Sequence, residues 1–243
     1  MIFRNKRSYS TKVETKFITP LKSPKPLKPN SFLTMDIETM NLNGNQIPVL
    51  ITTHDLNETK TFIIDHELLI LDSDKAIFNL WKDYFNYLNQ LSIKYIFVHN
   101  LGKFDGIFIY KNLFKHYNIN YIKPIIDQHN SFVCISIKIG NFEIRFLDSM
   151  RIFPCSLNEL CKTFGVEGKF NSYKSEYNEI SLFNNKDLLN EWIRYARQDS
   201  ISLCNALLNA QKIYLEKYNI DLTSIVSRAM PLVYHLKYLD KTF

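Results

Sequence analysis

Short apolar runs bounded by polar or turn-forming residues recur along the chain, and their lengths are those of β-strands. Two pairs of runs are spaced as hairpins, one around residues 54–58 and the other around Gly140-Asn141. The first run ends in an acid, Asp36, as central strands often do. The predicted strands cover residues 31–36, 47–53, 59–65, 94–98, 132–139 and 142–147.

Other segments carry apolar residues at the period of an amphipathic helix. In residues 74–91, Leu80, Trp81 and Tyr84 share one face, and Asp72 or Ser73 is placed to cap the helix. Segment 169–183 has no period and is predicted to be a loop. The predicted helices cover residues 74–91, 104–117, 157–164 and 186–215. Strands first, then alternating strands and helices, predict an α/β fold with a mixed central sheet flanked by helices.

Composition fits one globular domain with a basic N-terminal arm. Apolar residues make up 46% of the 243 residues, enough for one substantial core. The formal net charge is +6, but residues 1–30 hold eight Lys or Arg against one acid, Glu14. The remaining chain holds 22 basic and 23 acidic side chains. The net charge therefore does not by itself indicate a DNA-binding groove.

The arm bears on location. It is rich in Ser and Thr and ends in a Pro- and Lys-rich stretch, 20–29, that cannot form a helix or a sheet ladder. Residues 7–11 resemble the region around a mitochondrial presequence cleavage site. Only 6 glycines, with many Ile, Asn, Lys, Phe and Tyr, fit a gene read from AT-rich organellar DNA. We expect a mitochondrial protein with residues 1–30 as a presequence, the alternative being a solvated tether.

Two negative observations narrow the class of protein. The cysteines show no spacing typical of a metal site and are expected to be reduced core residues. No apolar run approaches the roughly 20 residues of a membrane span, so no membrane partner is expected. The cysteines are Cys134, Cys155, Cys161 and Cys204.

Two acidic stretches each place a pair of side chains on one face of an element. Asp36 and Glu38 lie two apart at the end of the first predicted strand, and with strand geometry they would point to the same side. Two adjacent carboxylates repel each other unless a cation lies between them. Tyr195 and Asp199 lie four apart on the last predicted helix and share one face. Each pair is also common by chance, as an acidic strand end or an ordinary half-buried tyrosine.

The stretch between them, residues 98–106, is the most distinctive. It leaves a strand, turns at Gly102 and presents Asp105 at the start of a helix, where an ionised carboxylate is favoured. The Asn100 amide would hydrogen-bond to a substrate strand, and the Phe104 ring would stack on a base. The alternative is a helix cap followed by a core phenylalanine.

Together the three stretches supply the ligands of a two-metal phosphodiesterase site. Asp36 is the natural bridging ligand. Glu38 and Asp199 would complete the metal that binds the attacking water, and Asp105 would hold the second metal. Tyr195 would orient the water, because an unperturbed tyrosine pKa near ~10 makes it a poor base at neutral pH.

In this order and spacing the stretches resemble the three motifs of the DEDD 3′–5′ exonucleases. A Tyr four residues before the last Asp marks the tyrosine branch, since the histidine branch would place His where Arg194 stands. The form Asn-Leu-Gly-Lys-Phe-Asp-Gly is similar to the second motif of protein-primed family B DNA polymerases, which serve terminal-protein phages, adenoviruses and linear organellar plasmids. The resemblance implies a ribonuclease-H-like fold, two Mg²⁺ or Mn²⁺ ions, and a single-stranded DNA 3′ end as substrate.

Two further elements resemble that branch. Residues 148–154 are similar to its Ser/Thr-Leu element, with Met150 in place of the usual Leu. Lys169 is similar to its Lys element, although the two residues at 171–172 fit poorly. By this resemblance the contacts to the single strand are Thr39, Asn100, Phe104, Phe108, Ser149 and Lys169.

Some of these residues have plainer interpretations. Ser149 could be a turn residue, and Lys169 a solvated loop charge. His99 is expected to be packed at a strand end. Asp127 and Asp148 belong to no matched motif and are left out of the predicted site.

The resemblance covers about residues 31–240. Residues 223–229 resemble the passage from an exonuclease to a polymerase domain, and no palm motifs follow, so this chain alone is not expected to polymerise. We expect an exonuclease domain at 31–215 and the start of a linker at 216–243. The expected function is 3′–5′ exonucleolytic proofreading in DNA replication, with a terminal protein and a separate polymerase domain as further partners. The alternatives are a catalytically silent remnant that binds DNA or a polymerase, and a DEDD exoribonuclease.

Overall fold

The computed structural model describes residues 32–139, 142–168, 170, 172–218 and 221–222. Its strands are β1 Leu33–Leu42, β2 Asn45–His54, β3 Thr59–Ile63, β4 Tyr95–Val98, β5 Ile122–Ile126, β6 Phe132–Ile139 and β7 Phe142–Asp148. They form one sheet in the order β3-β2-β1-β4-β7-β6-β5. The β1–β4 and β4–β7 pairs are parallel and the others antiparallel. The predicted α/β class with a mixed central sheet is confirmed.

The described part of the chain contains six α-helices and three 3₁₀ helices. Asp72 caps α2 by accepting a hydrogen bond from the Lys75 amide, and it is one of the two caps predicted. A reciprocal capping box between Ser156 and Glu159 begins α5. The α-helices are α1 His66–Leu71, α2 Ser73–Gln90, α3 Asp105–His116, α4 Ser149–Ile152, α5 Leu157–Phe164 and α6 Lys186–Tyr218, and the 3₁₀ helices are Ile119–Tyr121, Ser175–Asn178 and Ile180–Asn184.

The sheet is buried on both faces, as β4 shows. Ile96 and Val98 belong to the hydrophobic cluster that α2 and α3 cover. Phe97 belongs to a second cluster, with Leu160 of α5 and Leu207 of α6. Continuous apolar strands of this kind are expected where helices pack on both faces of a sheet.

Buried hydroxyl contacts attach α6 to β1 and β2. The Thr34 hydroxyl donates to the Ser200 carbonyl oxygen at 2.7 Å. The hydroxyls of Thr52 and Ser200 are 2.6 Å apart. All three residues are buried. Because Asp199 precedes Ser200, these contacts fix the height at which Asp199 meets the sheet.

An opening in the sheet lies beside β1. This strand pairs with β4 only over Leu33–Met35, while its antiparallel pairing with β2 continues to Leu42. A register shift interrupts that second pairing between Glu38 and Thr39. The side chains of Asp36 and Glu38 therefore lie where β4 has already ended.

Sequence patterns missed the short elements. Segment 169–183, predicted to be a loop, contains one 3₁₀ helix and most of another. Strand β5 contains Pro124, which lowers the score of any strand pattern but is tolerated at the sheet edge where β5 lies. Helices α1 and α4 are too short to show a period. Strand β1 runs six residues beyond its predicted end, and α6 three.

Several expectations lie outside the described residues. They concern the basic arm, the turn at Gly140-Asn141, Lys169 and the segment 223–229. All four cysteines are free, and three of them are buried. Among the described helices, none is long and apolar enough to cross a membrane.

Candidate metal and nucleic-acid site

Three carboxylates from distant parts of the chain meet at the opening beside β1. Asp36, Glu38 and Asp199 each offer one oxygen, and these oxygens lie within 4.8 Å of one another. Asp199 is buried and the other two are half-buried. Oxygen ligands of this kind suit Mg²⁺ and Mn²⁺. We call these three residues the carboxylate cluster; their donor set fits a divalent cation.

Asp105 lies outside the cluster but close enough to feel its charge. It is 3% exposed, and its Oδ1 atom has no hydrogen-bond partner among the described residues. Burial raises its pKa well above the usual range, and the charges of Asp36 and Glu38 raise it further. A buried oxygen without a partner beside two like charges is what a fourth carboxylate awaiting a cation would show.

Tyr195 lies within a group of aromatic rings. It is 5% exposed, and its ring centroid lies 5.9 Å from that of Tyr177 and 6.4 Å from that of Tyr173. Tyr173 is about half exposed. Partial burial of its side chain raises its pKa, and the charge of Glu38 raises it further. The rings therefore hold Tyr195 in place on α6, one turn before Asp199.

The loop from Asn100 to Phe104 requires close backbone approach. Asn100 has a positive φ of 71°, in the left-handed region that Asn tolerates better than most residues. A Cβ on Gly102 would lie 2.8 Å from the Phe132 carbonyl oxygen, and one on Gly106 would lie 2.5 Å from the Leu101 carbonyl oxygen. Both glycines are thus needed to bring this loop against β6.

The loop leaves three of the predicted strand contacts accessible. Phe104 is 41% exposed, and its ring meets that of Phe108 edge-on with centroids 5.6 Å apart. Asn100 and Phe108 are half-buried. An exposed aromatic ring on a well-anchored loop is suited to stacking on an unpaired base.

A cleft of about 320 Å³ adjoins the carboxylate cluster. It brings together Glu38 with two predicted strand contacts, Thr39 and Phe104. Besides the apolar Ile37, three polar or aromatic lining residues were not predicted, because two lie in the segment without a period and one at the start of β2. They are Gln46, Tyr173 and Asn178.

The contact of Ser149 with a strand stays a prediction, and the structure places this residue in the interior. Ser149 has no exposed surface. Its hydroxyl donates to the Val98 carbonyl oxygen at 3.2 Å and lies 3.0 Å from Nδ1 of His99. His99 Nε2 lies 3.1 Å from the Cys155 carbonyl oxygen, so this histidine is packed as expected. Ser149 is buried because β7 leads directly into α4, which begins at this residue.

A second cavity, of about 620 Å³, lies on the other side of the Asn100 loop. Asn100, Lys103 and Met150 line it. At its wall Arg151 pairs with Asp127 at 2.5 Å. The hydrogen bond from Arg151 lowers the pKa of Asp127 to about 2.

The two omitted aspartates lie apart from the carboxylate cluster. Asp127 is the partner of Arg151. Asp148 is buried and accepts hydrogen bonds from the backbone of the Asn100 loop. Sequence reasoning could have flagged Asp148 from its position at the carboxyl end of a strand that lies parallel to β4.

Comparison with solved structures supports the fold. The structure matches phi29 DNA polymerase complexed with single-stranded DNA, with a TM-score of 0.61 over 88% of this chain and 36% of that one, at 16% identity. This likeness supports the predicted ribonuclease-H-like fold. Within it, the carboxylate cluster lies where β1 outruns β4.

The sequence comparisons find similarity to one family of DNA polymerases. A family model described as DNA polymerase type B, organellar and viral, matches residues 88–173. Probable DNA polymerases of Ascobolus immersus and Neurospora intermedia are 26% and 23% identical over 87% and 90% of this chain. The chain spans 20% and 27% of their lengths. The chain is therefore similar to the type B DNA polymerases of organelles and viruses, and this similarity supports the family indicated by the motifs.

Proposed function

We propose that this chain is the 3′–5′ exonuclease part of a protein-primed type B DNA polymerase and removes nucleotides from single-stranded DNA 3′ ends. One observation carries the proposal. The carboxylate cluster adjoins a cleft that also exposes Thr39 and the ring of Phe104. Charge for a metal-dependent cut and a surface for an unpaired base thus share one opening.

The roles of the side chains follow from their positions. Asp36, Glu38 and Asp199, together with Asp105, would hold the catalytic cations, two Mg²⁺ or Mn²⁺ ions. When bound, such ions supply an activated water and stabilise the leaving 3′ oxygen. Tyr195 orients the water through its hydroxyl, because the surrounding rings fix its side chain.

The substrate is held by contacts outside the carboxylate cluster. Phe104 stacks on a base, and Phe108 supports that ring edge-on. Thr39 and the Asn100 amide hydrogen-bond to the strand. A 3′ end held in this way presents its last phosphodiester to the cluster.

The wider setting is part of the proposal. Because the chain spans 20% and 27% of its relatives' lengths, a polymerase domain and a terminal protein are natural partners in replication. The basic arm, rich in Ser and Thr, favours a mitochondrial location, where linear plasmids would be the replicon. Import of a fluorescent fusion of residues 1–30 would test that location.

Digestion of a labelled oligonucleotide tests the activity. The wild-type protein should shorten single-stranded DNA from its 3′ end in Mg²⁺ and not in a chelator, and faster than matched RNA. Asp36→Ala or Asp199→Ala should abolish shortening while the circular dichroism spectrum is kept. Shortening by either variant at the wild-type rate would exclude this mechanism, and DNA binding without shortening by the wild type would favour the silent remnant.

A further inference from the structure

Asp148 connects the ends of two parallel strands through its side chain. It is the last residue of β7 and pairs in register with Val98, the last residue of β4. Its Oδ1 atom accepts from the Asn100 amide at 3.1 Å and from the Met150 amide at 2.9 Å. Its Oδ2 atom accepts from the Gly102 amide at 3.0 Å. One carboxylate thus accepts three hydrogen bonds from backbone amides that follow the ends of β4 and β7.

These bonds leave Asp148 poorly suited to be a metal ligand. A carboxylate offers about four acceptor positions, and three of them are used here. The side chain is 5% exposed, and its residue lies outside the carboxylate cluster. Its negative charge nevertheless contributes to raising the pKa of Asp105, after burial and the charges of Asp36 and Glu38.

The Asn100 loop is a segment that needs such support. Asn100 adopts a left-handed conformation, which costs free energy and persists only where the surroundings impose it. Asp148 holds the amides on both sides of the fully buried Leu101. A side chain at position 102 would crowd this hydrogen bond, because a Cβ there would lie 3.2 Å from Asp148 Oδ2.

We propose that Asp148 is a positioning residue for DNA cleavage: it fixes the Asn100 loop so that Phe104 and Asp105 face the carboxylate cluster. This inference rests on the proposed function, since the loop matters only if it meets a strand. Asp148 acts through Phe104, the last residue of the loop, and Asp105, the first residue of α3, and touches neither the strand nor the cations. The same carboxylate caps α4 by accepting from the Met150 amide, so it holds the Asn100 loop at a fixed distance from the start of α4.

Asp148→Asn is the sharpest test, because it keeps the size of the side chain. The amide retains one acceptor atom but turns an NH₂ group towards the Gly102 or the Asn100 amide. Losing a charge-assisted hydrogen bond of this kind changes an equilibrium about tenfold to a hundredfold. We expect single-stranded DNA affinity, measured in Ca²⁺ to prevent cleavage, to fall by about that factor. Asp72→Asn, which alters another helix-capping aspartate that belongs to neither the carboxylate cluster nor its cleft, should change affinity less than twofold.

A double-mutant cycle separates positioning from general damage. If Asp148 acts through the loop, Asp148→Asn should weaken DNA binding much less in a Phe104→Ala background than in the wild type. Equal losses in both backgrounds would overturn the inference. Gly102→Ala, whose Cβ would lie 2.8 Å from the Phe132 carbonyl oxygen and so displaces the loop while Asp148 itself is unchanged, should reproduce the loss and serves if Asp148→Asn folds poorly.

Amide hydrogen exchange gives a measurement that needs no DNA. Residues 100–106 should exchange at least about tenfold faster in Asp148→Asn than in the wild type, with the β1–β2 core unchanged. Unchanged exchange in this segment would refute the role of Asp148. If the wild-type protein neither binds nor cuts DNA, the proposed function fails, while the exchange result still decides whether Asp148 fixes the loop.

Discussion

Replacing Asp199 by asparagine should make the metal-free protein more stable while it removes a cation ligand. Three carboxylate oxygens lie within 4.8 Å of one another, two of them on residues that are only half-buried. At this separation one pair of unit charges repels by about 1 kcal/mol at a dielectric constant of about 80, and by about 3.5 kcal/mol at about 20. Asp199→Asn removes two such pairs and keeps the shape of the side chain.

The net gain is smaller than the Coulomb sum. Solvent screens the half-buried members, and the cluster can relieve its repulsion by binding a proton. We expect the free energy of unfolding to rise by about 1–2 kcal/mol, which for a chain of this size raises the melting temperature by about 2–8 °C. The measurement is thermal unfolding in a chelator at pH 8, where carboxylates are ionised, with Asp83→Asn on the exposed face of α2 as control.

Addition of Mg²⁺ should reverse the order of stability and make the wild type more stable than Asp199→Asn. A cation that binds only the folded wild type stabilises it by about 2.7 kcal/mol at a hundred times its dissociation constant, and the variant much less. The reasoning is refuted if Asp199→Asn is no more stable than the wild type in chelator. It is equally refuted if Mg²⁺ stabilises both proteins alike.

Three further outcomes are expected. Tyr195→Phe should slow digestion of a 3′-labelled oligonucleotide by about 10–100-fold, less than loss of a carboxylate ligand, because its hydroxyl only orients water. Gly106→Ala should destabilise the protein by about 1–2 kcal/mol in urea unfolding, since overpacking against a backbone oxygen and a ring outweighs the helix propensity of alanine. Gly168→Ala, whose Cβ would meet only the end of a side chain, should be near neutral. Because the pKa of Asp127 is lowered to about 2, its pairing with Arg151 stabilises the folded protein above about pH 4, and this stabilisation is lost as the pH falls towards 2. In Asp127→Asn, the free energy of unfolding should therefore depend less on pH between about 4 and 2.

The parts of the site that sequence could predict are those with local periodicity. Asp36 and Glu38 share a face because strand side chains alternate, and Asp199 lies on α6 because a long amphipathic pattern leaves little choice. Their convergence within 4.8 Å depends on long-range contacts. The pairing of β1 with β4 and the bonds of Thr34 to α6 are such contacts, and no local pattern encodes them.

The features of the site that the sequence does not indicate also depend on long-range contacts. Ser149 carries a plausible motif position, yet β7 delivers it beneath the Asn100 loop, where its hydroxyl bonds to Val98. Asp148, one residue earlier, is not among the predicted site residues and still accepts hydrogen bonds from the backbone of that loop. Tyr173 lies in a segment whose 3₁₀ turns are too short to show a period, but tertiary packing brings it beside Glu38.

The location of the cluster explains how the fold tolerates its charge. Strand β1 stays paired with β2 past Asp36 and Glu38, so their backbone hydrogen bonds do not depend on β4, which has ended by then. Helix α6 is attached one residue after Asp199 by buried hydroxyls, so repulsion between the carboxylates cannot easily push the helix away. Repulsion at a functional site destabilises the fold and must be offset by contacts around it. Here the hydroxyl contacts at Ser200 offset it. Loss of the Thr52 hydroxyl should therefore displace Asp199 from Asp36 and Glu38 before it unfolds the sheet.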